Sequence, residues 1–122
     1  MAKWVSPTVL DAALQAVAAA DRMVALAAQP ATFAEAMAGR LAEAPMAPAD
    51  FALGAGDVSG RKVTVAAKSG LPVLAGGTAN HVALLDTAAS RLLYVTTCPD
   101  QAVAPGGTVT IAGWAIEIAD PV

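Results

Sequence analysis

Near residue 50 the sequence changes its period. Before it, alanine and leucine recur at spacings of three and four; after it, glycine, threonine and valine take over and apolar residues alternate. Helices carry the first period and strands the second, so such a chain must pack a helical part on a sheet. Ser6-Pro7 supplies a hydroxyl cap followed by a proline suited to the first helical position. Leu10, Leu14 and Val17, with Ala13 between them, then form one apolar face through about Ala20. Met23 to Ala28 suits either a helix or a buried strand, and the abrupt stop at Gln29-Pro30 selects strand. Thr32-Phe33-Ala34-Glu35 has capping-box spacing and opens a second, short helix, expected to reach about Ala44 before Pro45 and Pro48. Gly39 weakens that helix by about 1 kcal/mol relative to alanine.

From Phe51 onward the expected elements are strands. Asp57-Val58-Ser59-Gly60 makes a turn into a strand from Arg61 to Lys68, with Val63, Val65 and Ala67 on one face and Lys62, Thr64 and Lys68 on the other. Leu71 to Leu74 is a short strand that Pro72 confines to an edge or an end. Asn80 to Leu85 is a central strand, joined to Arg91 to Thr97 by a connection of hairpin length. Cys98-Pro99-Asp100 bends the chain, and Thr108 to Ala112 and Trp114 to Ala119 complete the set, with Gly113 a bulge or kink between them. The expectation is an α+β fold: one N-terminal helix or two, followed by a mainly antiparallel β-sandwich or partly open barrel. Residues 1–122 form a single domain, with 1–50 its Ala-rich helical part and 51–122 its β part.

Although 57% of residues are apolar, 32 of the 122 are alanine, 18 of them in the first fifty. The high apolar content is therefore mostly methyl groups suited to close packing. No run approaches the ~20 residues of a spanning helix, so no membrane partner is expected. Seven scattered Lys and Arg and a net charge of −3 make nucleic acid an equally poor partner. A single cysteine, Cys98, and a single histidine, His81, leave little from which to build a disulfide or a metal site, so neither metal nor cofactor is expected. Leu10 to Ala20 imitates the apolar stretch of an export signal, but Pro7 and Asp11 interrupt it and only Lys3 precedes it; no signal peptide is expected.

His81, Asp86 and Cys98 are the residues that could supply a base, an orienting acid and a nucleophile. Their ordinary reading is a polar residue at a sheet rim and a small buried thiol. The run Asp57 to Lys62 resembles an anion loop only loosely, lacking the glycine pattern of a phosphate loop, and a tight turn is expected. Glu117 lies between Ile116 and Ile118, so alternation places it outward, facing solvent or a partner. Trp114 is expected in the core; Trp4 is either a staple on the first helix or an anchor on a partner. No catalytic residue is assigned and the chain is not expected to be an enzyme.

Five segments of the β part carry a resemblance. They are Asp57 to Val65, Gly77 to Asp86, Leu92 to Thr97, Val103 to Ile111 and Trp114 to Pro121. In this order, over roughly residues 51 to 122, they resemble small virion proteins of tailed bacteriophages and prophages. The resemblance implies a structural component of the virion, made in the host cytoplasm. The favoured role is a capsid decoration or cement protein that binds the assembled major capsid protein and forms a homo-oligomer. The alternative is a tail-tip or fibre-associated protein that binds tail proteins or a host surface receptor. In the decoration role the candidate contacts are Trp4, Val5, Leu10 and Leu14 of the arm and first helix, with Glu117 on the last strand.

Overall fold

A computed structural model describes residues 3–122. Helix α1 (Pro7–Ala18) begins as its sequence dictates: Ser6 is extended and its side chain accepts a hydrogen bond from the Thr8 N–H, with Pro7 opening the helix. Strand β1 (Arg22–Leu26) follows, then helix α2 (Phe33–Gly39) and strand β2 (Arg40–Pro45). Thr32 Oγ1 accepts from the Glu35 N–H at 3.1 Å, while the Glu35 carboxylate reaches back to the Ala31 N–H at 2.6 Å. The capping box therefore holds, with its return bond one residue further back than the usual form.

The second helix is half as long as expected. Residues 40–45 are a strand because pairing with β1 and burial of Leu41, Ala42 and Ala44 outweigh the helix preference of an Ala-Glu-Ala segment. A turn of 3-10 helix (Pro48–Asp50) leads into β3 (Phe51–Ala55), β4 (Arg61–Val65) and β5 (Lys68–Pro72). The expected single strand 61–68 is thus two: the Ala66 N–H bonds to the Asp50 carbonyl, and the chain turns from one sheet to another. Then come β6 (Gly77–Asp86), β7 (Arg91–Val103), β8 (Thr108–Ile111) and β9 (Trp114–Ile118). β7 runs through the expected bend at Cys98-Pro99-Asp100. It is an edge strand, where a proline without an N–H is tolerated, and a bulge opposite Ala79 and His81 absorbs the extra residues.

Every pairing is antiparallel. One layer is a four-stranded sheet in the order β2-β1-β6-β7; the other consists of β3-β4-β9 and β5-β8. The second layer is in effect one bent pair of long strands, because β4 pairs with β9 and β5 with β8. The bend falls at Gly113, where a Cβ would lie 2.8 Å from the Val65 carbonyl oxygen. The result is an α+β sandwich with no sheet closed into a barrel. The main core lies between the layers, around Met23, Ala25, Val65, Val82 and Leu84. A smaller cluster (Val24, Leu26, Ala36, Ala83, Leu85) fixes α2 to the outer face of the four-stranded sheet. The central strands β1 and β6 are therefore buried on both faces, which explains their nearly unbroken apolar sequences.

Along one side the layers are tied by a bridge between Ala42 and Val73 and by Leu74 N–H to Leu41 carbonyl at 2.7 Å. The opposite side is a seam between the free edge of β7 and the second layer. Helix α1 packs against β3, β4 and β7 and so closes one half of that seam. Arg61 Nε donates to Asp11 Oδ1 at 2.7 Å, fixing the helix to β4. At its other end the Asp21 carboxylate accepts from the N–H and hydroxyl of Thr87, at 2.9 and 2.7 Å, tying the helix exit to the β6–β7 turn.

Candidate functional site

The other half of the seam is empty. A cleft of about 660 Å³ opens there between the second half of β7 and the β8–β9 bend. Ala25, Ala79, Val82, Val109 and Ile111, all buried core residues, make its floor. Tyr94, Thr96 and Cys98 line one wall and Trp114 the other. These walls are two edge strands, each with unpaired backbone groups along the open side. Trp114 packs partly into the core, as expected, and its indole N–H is shielded from solvent without an acceptor. Asp100 is the one charged residue of the lining.

The cleft holds no catalytic constellation. Alternation along β6 places His81 on the α2 face with Ala83 and Leu85, opposite Leu26 of β1. Cys98 faces the other way, into the main core and the cleft. His81 and Asp86 are five residues apart on one strand, about 16 Å. Nδ1 of His81 lies 2.6 Å from the Asn80 side-chain oxygen, and Asp86 accepts from the Ala89 N–H in the β6–β7 turn. Desolvation, aided by Asp100, pushes the Cys98 thiol above its ordinary range, so it is protonated at neutral pH and a poor nucleophile. Among the described residues no three His, Cys, Asp or Glu side chains are grouped to hold a metal ion. No helix among the described residues is long and apolar enough to cross a membrane.

The proposed contact residues divide sharply. Leu10 and Leu14 are 7% and 1% exposed; they are the inward face of α1 and are not available to a partner. Val5 is half-buried beside the helix entry. Trp4 is 81% exposed, which excludes the staple and leaves it projecting from the arm that precedes α1. Glu117 does face outward on β9, but its carboxylate is committed within the chain. It accepts the N–H groups of Asp57 and Val58, while Lys62 pairs with Asp57. The 57–62 loop thus does bind an anion, and the anion is the protein's own. Gly60, at φ +69°, allows this turn; a Cβ there would meet the Ile118 carbonyl.

The cleft itself went unread in the sequence because its lining comes from four separated stretches between Ala25 and Ala115. A local signal existed only at Gly113, where the strand period continues across a glycine. Comparison with protein-family models, curated proteins and solved structures finds no match.

Proposed function

We propose that the chain is a non-enzymatic structural protein of a phage-type particle, and that it decorates the outer face of an assembled capsid lattice. The observation that carries this reading is where the resembling segments fall. They are the strands β4 and β6 to β9 and the turn before β4, that is, the rigid body of the sandwich. The chemistry-bearing side chains, by contrast, are dispersed over different faces. A rigid sandwich with unpaired strand edges and an exposed tryptophan is equipped to bury surface against other proteins. Binding the assembled lattice and not its free subunits stabilises the lattice by mass action, by about 2.7 kcal/mol per site at a hundredfold excess over Kd.

Co-sedimentation with assembled capsids and, separately, with purified tails tests the reading. Stoichiometric binding to capsids, with a rise in their melting temperature, is expected. Binding to tails alone would replace decoration by a role in tail assembly or adsorption. Binding to neither would overturn the reading.

A further inference from the structure

We infer that the open half of the seam receives the N-terminal arm of a second copy of this chain, with Trp4 seated in the cleft and Lys3 beside Asp100. Three observations converge on this occupant. First, the cleft continues the core: its floor is made of the core residues Ala79, Val82, Val109 and Ile111, and its walls carry the half-buried Tyr94, Cys98 and Trp114. Second, the chain carries one large aromatic side chain with no place in its own fold. Trp4 is 81% exposed, on residues 3–5, which are neither helix nor strand and lead into the extended Ser6. Third, the charges match. Among the described residues Asp100 is the only charged one lining the cleft and Lys3 the only charged one of the arm, and neither takes part in an ion pair.

An extended arm also suits the walls, because β7 and β8–β9 offer unpaired backbone groups to a strand laid between them. The contact joins two different surfaces, arm and cleft, so it closes either reciprocally between two copies or around a ring. It does not depend on the virion reading, because it is measured on the isolated chain.

Sedimentation velocity over a concentration series tests it with the full chain, Trp4→Ala, Thr96→Arg and their equimolar mixture. Trp4 is exposed and Thr96 half-buried on the cleft side of β7, opposite Val82, and circular dichroism verifies that each variant is folded. The wild-type chain is expected to form a closed oligomer. Trp4→Ala loses a central aromatic anchor and should associate at least about 30-fold more weakly. Thr96→Arg places a long charged side chain in the cleft, with the same result expected. The mixture is expected to restore a heterodimer, since one variant retains the arm and the other the cleft. Lys3→Glu and Asp100→Lys should each weaken association about threefold, and the two together should recover it. A wild-type chain that stays monomeric, a Trp4→Ala variant that assembles like wild type, or a mixture that stays monomeric would each overturn the proposal.

Discussion

The two halves of the seam between β7 and the second layer face the same problem and meet it differently. One lies beside β3 and β4; the other is bounded by two free strand edges, β7 and β8–β9. In one half the chain closes the gap with α1, whose Leu10 and Leu14 turn inward while Asp11 in its second turn pairs with Arg61 and Asp21 just past its end holds Thr87. In the other half none of the described residues fills the gap, and a cleft of about 660 Å³ remains. The residues immediately before α1 sharpen the contrast: within ten positions the chain passes from an exposed Trp4 to a buried Leu14. Apolar surface covered by the chain contributes to folding; apolar surface left open is available for association.

The largest expected effect lies in the closed half. Leu14→Ala removes a fully buried side chain and should cost about 2–5 kcal/mol in urea unfolding. A loss below about 1 kcal/mol would mean that α1 does not close the seam. Next is Gly113→Ala, which places a methyl group against the Val65 carbonyl at the bend; a loss of about 2 kcal/mol is expected by the same measurement. Glu117→Ala should cost about 1 kcal/mol or less, because the two backbone donors it releases are exposed and turn to water, and should speed hydrogen exchange at Asp57 and Val58 while leaving the cleft unchanged.

Acid should loosen the anchors of the closed side. The Asp21 carboxyl is held below its ordinary range, chiefly by the Thr87 backbone N–H and hydroxyl, and Asp50 by the Ala47 N–H and then Lys68. A depressed folded pKa means that the unfolded chain binds more protons between the two values, so stability rises with pH there. The contribution is complete above the ordinary carboxylate range and is lost as pH falls through the folded values. Chemical denaturation from pH 7 down to pH 2 should show a flat region followed by a decline below about pH 4. Asp21→Asn should flatten that decline; an unchanged profile would remove Asp21 as an anchor. The smallest effect belongs to the open side: Trp4→Ala should alter the stability of the monomer by no more than about 0.5 kcal/mol.

What the sequence disclosed follows the range of the forces involved. The start of α1 was legible because Ser6 and Pro7 act on their own helix, and β6 because burial on both faces leaves a continuous apolar run. The hairpin from Asp86 to Arg91 was legible for the same local reason, and its turn places Ser90 at φ +54°. Strand β2 was not, since Arg40–Pro45 takes its conformation from β1 across the sheet. Nor was the break between β4 and β5, which depends on the Asp50 carbonyl. At the candidate site, Trp4 could be named as exposed or stapled from its position alone, and Glu117 as outward from its alternation. The carboxylate's actual partners lie about sixty positions away in the chain and follow from the β4–β9 pairing.

The unequal halves of the seam are tested most directly by amide hydrogen exchange on the full chain as protein concentration is raised. Added protection is expected at the cleft, in Thr96–Gln101 and Thr110–Ala115, with Leu92–Val95 and α1 unchanged because that half is already closed. Protection that appears first on the α2 face, or no change at any concentration, would contradict the account.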